Sequence, residues 1–242
     1  MHVRRLLNRS ISWTGYELGK VPDHPGRDYL EDIRHLIGIP SLVFDVGANE
    51  GQSVTEFMSA FPHTQIHSFE PFSEAFQSLE KTAAPFPGVR VNRMALGAKR
   101  GQADLFFNSN SVTNSLLPTA REAAGFSDQA EAMQTQGSVA VPVTTLDDYC
   151  KEQRISRIDL LKIDTQGFEL RVLQGGDAML ATKQVRSIFL ELNLVSLYEG
   201  QSRPGETVDF LFDHGYRLVG LYHSHYQNSR FIKWCDGLFI AE

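Results

Sequence analysis

Hydrophobic and polar positions along this chain follow two periods, and the switches between them lay out its elements. From Asp28 to Ile37, the apolar Tyr29, Ile33, Leu36 and Ile37 recur at helical spacing, and Gly38 and Pro40 close the helix. Ser41 to Val46 then reads as a short apolar strand ending in a glycine turn, with a helix from about Ser53 to Ala60 behind it. The alternation continues with a strand over Gln65–Glu70, a helix over Ser73–Lys81 and a strand over Val89–Leu96. Further on, Thr145 and Asp148 make a T-x-x-D capping signal for a helix running to Glu152. A strand over Ile158–Ile163, a helix over Phe168–Leu180, a strand over Ser187–Leu192 and a helix over Thr207–His214 follow. Short apolar strands alternating with helices predict a parallel sheet covered on both faces. Two closing β-rich runs, Tyr216–Tyr222 and Leu238–Ala241, have no helix between them and predict an antiparallel pair at one edge.

Two stretches fall outside this rhythm. Residues 1–40 form a polar preface with Arg4, Arg5 and Arg9 and no acid before Glu17. Three arginines are too few for a stable electrostatic anchor, so the preface reads as a helical extension over an edge of the core, with a membrane-surface or partner-docking helix as the alternative. Between residues 97 and 142 only Ala103–Phe107 reads as a strand, and Asn108–Gln136 is rich in Ser, Asn, Thr, Gln and Ala. Connections of that length are lids, binding loops or disordered segments. The expected organisation is an N-terminal extension over 1–40 and one domain over 41–242 with an insert at about 108–142.

Charge and composition narrow the function classes. Lys plus Arg is 23 against 29 for Asp plus Glu, a net charge of −6, which argues against a broad basic nucleic-acid face. No apolar run of about 18 residues predicts a membrane helix, and no apolar stretch at the start predicts a signal peptide, so a cytoplasmic protein is expected. Cys150 and Cys235 are far apart, fit no ligand spacing and read as reduced, inert thiols. Trp13 and Trp234 read as packing residues rather than sugar-stacking platforms.

Candidate chemistry concentrates in two strings. In Val43-Phe44-Asp45-Val46-Gly47-Ala48-Asn49-Glu50-Gly51-Gln52 a buried strand enters a turn whose glycines let backbone approach a ligand, ahead of a helix N-terminus. Gln52 stands where a Walker A loop needs lysine, and Asn49 where the dinucleotide fingerprint needs its second glycine. A cofactor without phosphates, such as S-adenosylmethionine, tolerates Asn49 at that place. Glu70, ending the second strand in Phe69-Glu70-Pro71, is placed to accept two ribose hydroxyls, and Asp45 is a costly lone carboxylate on an apolar strand unless it is paired. In Ile158-Asp159-Leu160-Leu161-Lys162-Ile163-Asp164-Thr165-Gln166-Gly167-Phe168-Glu169, alternation sets Lys162 and Asp164 on one face, with Asp164 at the strand's C-terminal end, and Glu191 falls near the matching end of the next strand. Such a group can serve as general base, cofactor clamp or metal ligands, or reduce to a Lys162–Glu191 ion pair joining adjacent strands. His223 and His225, at H-x-H spacing, are a rival base and a candidate metal pair.

These strings, with Ala95-Leu96-Gly97 and Thr145-Leu146-Asp147-Asp148 in the same order, resemble the FkbM family of S-adenosylmethionine-dependent methyltransferases from about Leu42 to Leu192. The resemblance implies an α/β, Rossmann-like class I methyltransferase fold with a mostly parallel seven-stranded sheet and an antiparallel C-terminal hairpin. It implies O-methylation of a small-molecule or glycan acceptor: a sugar, glycolipid, polysaccharide or related natural product. By position, Asp45, Gly47, Ala48 and Asn49 would line the methionine end of the cofactor, Glu70 its ribose, and Ala95 and Leu96 its adenine, with Gly51 and Pro71 also at the cofactor. Asp164 would stand near the sulfonium and the acceptor, as base or metal ligand, with Glu191 second and Lys162 orienting both. Metal dependence and oligomeric state are left open. A nicotinamide-dependent oxidoreductase and a non-catalytic scaffold on the same fold are the alternatives.

Overall fold

The computed structural model describes residues 25–26, 28–126 and 130–242; Arg4, Arg5, Arg9 and Trp13 lie outside the described residues. Helix α1 (Tyr29–Ile37) begins where the Asp28 carboxylate accepts the N–H groups of Leu30 and Glu31, and it stops at Gly38 with φ 78. Then come β1 (Leu42–Val46), α2 (Gln52–Ala60), β2 (Gln65–Phe69), α3 (Ser73–Ala83) and β3 (Val89–Asn92). The middle of the chain supplies β4 (Ala95–Leu96), β5 (Gly101–Asn108), β6 (Thr135–Thr144) and α4 (Leu146–Gln153). Next are β7 (Ile158–Ile163), the short helices α5 (Glu169–Gln174) and α6 (Asp177–Ala181), and β8 (Val185–Asn193). Helix α7 (Pro204–Asp213) and the hairpin of β9 (Tyr216–Gln227) and β10 (Phe231–Ala241) end the chain.

Seven strands form one sheet in the order β3-β2-β1-β7-β8-β10-β9, parallel from β3 to β8, with β10 antiparallel between β8 and β9. Strand alternation separates two cores. Val43, Ile66, Leu160 and Phe189 face α1 and α2, packing with Tyr29, Ile33, Phe57 and Phe61. Phe44, Leu161, Ile163 and Ile188 turn to the other face, against Leu146, Val172, Leu180 and Leu211 of α4 to α7. Each such side chain, taken fully out of water, contributes roughly 1.5–3 kcal/mol, which is why strands covered on both faces are almost continuously apolar.

Four elements depart from the sequence expectation. The strand expected over Val89–Leu96 breaks after Asn92, whose carbonyl accepts from both Glu70 and Met94 N–H and so turns the chain; Ala95 and Leu96 then pair with β6 in a separate three-stranded sheet, β4-β6-β5. The helix expected over Phe168–Leu180 splits at Gly175 and Gly176, where the Gly97 backbone comes so close that a Cβ on Gly175 would lie 2.1 Å from its carbonyl oxygen. Strand β6 was hidden in the polar stretch: most of its positions are solvent-facing, and Pro142 lies in it. Strand β9 runs beyond its apolar run because its second half is mostly exposed, and β10 starts at Phe231, seven residues before Leu238.

Candidate active site

The C-terminal ends of β1, β2, β7 and β8 open into one cavity of about 390 Å³, within the range of small-molecule sites. At its centre Gly47, φ 81, leaves β1 so close to β7 that a Cβ would lie 1.9 Å from the Asp164 carbonyl oxygen. Gly47 and Ala48 both donate their N–H groups to the Phe69 carbonyl, and Asn49 follows at φ 46, so the turn folds back over the end of β2. Glu70 closes it: one carboxylate oxygen accepts the Asn49 N–H at 3.0 Å and the other the Phe72 N–H at 2.8 Å. Each oxygen keeps a second lone pair. Burial, with only 7% of the residue exposed, pushes the Glu70 carboxyl up to about 7 against the pull of those N–H groups. Pro71, Ala95 and Leu96 continue the wall from Glu70.

Asp45 does not line this cavity. It is 0% exposed, accepts the Ser53 hydroxyl at 2.7 Å, and has the Lys162 ammonium 3.2 Å from its other oxygen. The β1–β7 register sets Asp45 directly opposite Lys162, so the lysine bridges Asp45, the Gly47 carbonyl and Asp164, at 3.2, 3.2 and 3.6 Å. The buried Lys162 ammonium is held charged by these carboxylates, and its pKa moves above the ordinary lysine value. Gly51, φ 92, also stands behind the cavity, where it begins α2 against Thr82 of α3.

Lys162 makes no ion pair with Glu191. Across β7 and β8 it faces Phe189, two residues short of Glu191, and Gln166 fills the gap, donating to Asp164 at 2.8 Å and to Glu191 at 3.1 Å. Asn193 gives Glu191 a second donor at 2.9 Å, and burial beside Asp164 and Glu169 drives the Glu191 carboxyl well above its ordinary value. Glu191 lies behind the cavity wall, whereas Asp164 is in it, its side chain 42% exposed. Gln166 itself, φ 55, is fixed by the Tyr198 hydroxyl at 2.8 Å.

The two histidines part company. His223 lines the cavity with its Nδ1 2.7 Å from Asp236, while His225 stacks on Trp234 with ring centroids 4.8 Å apart. Among the described residues no group of three or more His, Cys, Asp or Glu could hold a metal ion, and no helix is long and apolar enough to cross a membrane. Cys150 and Cys235 are both buried and unpaired, with burial pushing their thiols up to about 12 and about 11.

Sequence reasoning missed the far end of the cavity. Tyr29, Glu56, Phe189 and Asp236 line it, with Tyr29 stacked on Phe189 at 4.1 Å, and Ser111 to Leu116 of the long β5–β6 connection supply part of the roof. Asp236 had a signal, an acid inside the apolar run from Trp234 to Ile240; Tyr29 looked like any core residue of a helix.

The profile of the methyltransferase FkbM domain matches residues 45–218. The chain is 29% identical over 174 residues, 70% of each protein, to the 2-O-methyltransferase NoeI of Sinorhizobium fredii. It is 28% identical over 207 residues, 77% of each, to the 31-O-demethyl-FK506 methyltransferase FkbM of Streptomyces tacrolimicus. Among solved structures the METTL16 methyltransferase domain superposes with a TM-score of 0.50 at 11% identity, covering 99% of this chain and 80% of that one, which is a likeness of fold. With the profile spanning well over half its length and a sheet whose β10 is inserted antiparallel, this chain belongs to the FkbM family of methyltransferases.

Proposed function

We propose that the cavity binds S-adenosylmethionine and that the protein methylates a hydroxyl group of a neutral, sugar-like acceptor. The observation that carries the cofactor assignment is charge. Four carboxylates line the cavity, from Glu56, Glu70, Asp164 and Asp236, against one lysine, Lys162, which Asp45 and Asp164 already engage. A dinucleotide's pyrophosphate would meet this acidic wall with no cation in reserve; a cofactor bearing a sulfonium and an ammonium meets complementary charge. S-adenosylmethionine supplies an electrophilic methyl group.

The chain's own residues bind and align. Glu70 would accept ribose hydroxyls with its remaining lone pairs, Ala95 and Leu96 would border the base, and the Gly47-Ala48-Asn49 turn would cradle the amino-acid portion. Asp164 would touch the cationic, reacting end, held in place by Lys162 and Gln166, with Glu191 a positioning residue behind it. Charge also bears on the acceptor, because acidic walls repel polyanions and leave uncharged hydroxylated molecules favoured. The roof from Ser111 to Leu116 and the helix α1 close over the acceptor end, so the insert and the extension are where acceptor choice would be exerted.

Parallel titration calorimetry with S-adenosylmethionine and with NAD tests the cofactor assignment: saturable binding of the first and none of the second is expected, and the reverse overturns it. Tritium transfer from labelled S-adenosylmethionine into lipid and polysaccharide extracts of cells carrying the protein tests the acceptor class. Label confined to protein or nucleic acid would refute it.

A further inference from the structure

We infer that His223, oriented by Asp236, is the general base that takes the proton from the acceptor hydroxyl. The inference deepens the methyl-transfer reading above and rests on it.

Backbone geometry supplies the first argument. In the β9–β10 hairpin Trp234 pairs with His225 and Asp236 with Tyr222, so His223 and Ser224 together oppose the single residue Cys235. This is a β-bulge, and His223 sits in it at φ 44, an uncommon conformation for a residue other than glycine. A strand that ran on regularly would point alternate side chains to fixed faces; the bulge re-aims this one into the cavity at its acceptor end. Strain of this kind persists where surrounding structure over-determines it, and here the ring is fixed edge-on to Tyr29 and Phe189, with centroids at 5.4 and 6.1 Å.

Hydrogen bonding supplies the second. A carboxylate only accepts, so Nδ1–H of His223 donates to Asp236 Oδ2 at 2.7 Å, which leaves the lone pair on Nε2. The imidazole side chain is 54% exposed against 22% for Asp236, an arrangement in which the carboxylate is set back and the ring reaches forward. The charged and titratable groups facing the ring are Asp236 from β10, Glu56 from α2, Asp28 at the start of α1 and, with its phenol, Tyr29. The carboxylates stabilise the imidazolium, and His223 moves above the ordinary histidine value, with the Asp236 bond the main cause.

Elimination supplies the third. Asp164 is already engaged, one oxygen accepting from Gln166 and the other lying 3.6 Å from the Lys162 ammonium. Glu56 already takes the Tyr29 phenol as a donor, Tyr29 stays protonated, and Glu70 is at the cofactor's ribose end. In the step, the acceptor oxygen bonds to the methyl carbon as that carbon's bond to sulfur breaks, with the electron pair staying on sulfur. The hydroxyl proton passes to Nε2, and the exposed imidazolium then returns it to water.

Two measurements test this. The first needs no cofactor: imidazole resonances of the isotopically labelled full chain, followed from about pH 5 to 9, should show His223 titrating above the ordinary value of about 6.5, and Asp236→Asn should bring it back down. The second uses the transfer assay. His223→Gln should lower turnover about 100-fold or more, the range for loss of a general base, while affinity for S-adenosylhomocysteine stays within about twofold. Added imidazole should restore part of the rate to His223→Ala, and wild-type turnover should rise with pH through the value found by resonance. Titration at or below the ordinary value overturns the dyad; His223→Gln within about threefold of wild type overturns the base. Failure of the wild type to bind or transfer at all refutes the underlying methyl-transfer reading instead, and the base assignment falls with it.

Discussion

Glu70 makes cofactor binding a proton-linked event. Burial raises its carboxyl to about 7, while the two backbone N–H groups at 3.0 and 2.8 Å pull the other way and lose. A ribose hydroxyl donates to a carboxylate more strongly than to a carboxylic acid, so the ionised form is the binding form. With a pKa near 7, about one Glu70 in eleven is ionised at pH 6 and about ten in eleven at pH 8, so affinity should rise about tenfold between them, or about 1.4 kcal/mol. At pH 7 about half a proton should leave with each cofactor bound. Glu70→Gln removes the charge, flattens the pH dependence and weakens binding at pH 8 by about 1.5–3 kcal/mol, the worth of a hydrogen bond to a charged group. Titration calorimetry with S-adenosylhomocysteine at pH 6, 7 and 8, repeated in buffers of different ionisation enthalpy, reads both quantities. Equal affinities across that range, with heats independent of buffer, would refute the account of Glu70; so would an unchanged pH slope in Glu70→Gln.

Three further outcomes follow from the same geometry. Gly47→Ala would put a Cβ 1.9 Å from the Asp164 carbonyl oxygen and demand φ 81 of an alanine, which alone costs about 1–2 kcal/mol, so cofactor binding should vanish and the melting temperature fall by several degrees. Lys162→Met would strip the fully buried Asp45 of its ammonium and cost about 3–5 kcal/mol in urea unfolding, much of which Asp45→Asn in the same chain should return; a double variant no better than the single would refute the pairing. Tyr198→Phe removes the donor that fixes Gln166 and also pins the Thr113 carbonyl, so amide exchange should quicken in the Ser111–Thr113 turn while global stability drops by only about 1 kcal/mol.

How much of this was legible in the sequence depends on whether the signal was local. The parallel sheet could be read because each of its inner strands is an apolar run bounded by a turn and a helix, and the Gly47 turn because glycines and a terminal carboxylate mark it without help from the rest of the chain. Glu70 and Asp164, singled out by local reading, line the cavity, as do Asn49, Ala95 and Leu96, placed there by the family resemblance. Asp45 could not be placed that way. Its pairing with Lys162 comes from the β1–β7 register, which sets the two directly opposite each other, and Asp45 is fully buried there. The β7–β8 register, which sets Lys162 opposite Phe189, likewise keeps it from Glu191. The break after Asn92 and the split at Gly175 have a related cause: each is imposed by a neighbour distant in sequence, a shared carbonyl in one case and the Gly97 backbone in the other. Periodicity carries no trace of such contacts.

The two ends of the cavity also differ in where their residues lie along the chain, and that difference has a functional meaning. Every group assigned to the cofactor, from Gly47 to Asp164, falls inside the segment matched by the family profile, 45–218. The acceptor end adds, to Glu56, Phe189 and the Ser111–Leu116 roof within that segment, Tyr29 before it and His223 and Asp236 after it, brought together because β10 lies between β8 and β9 and α1 packs on the β8 face beside them. One sheet thus joins a shared cofactor half to an acceptor half completed by the chain's flanks. Changes in the flanks can then alter which hydroxyl is presented without disturbing the turn, the ribose carboxylate or the Lys162 bridge. The Asp236–Glu191 pair in the β10–β8 ladder is the seam between the halves, since Glu191 also takes the Gln166 amide that positions Asp164. A proton-accepting histidine on β9 and a cofactor-facing aspartate at the end of β7 are separated by β8 and β10 of the same sheet, which fixes their separation more rigidly than loops could.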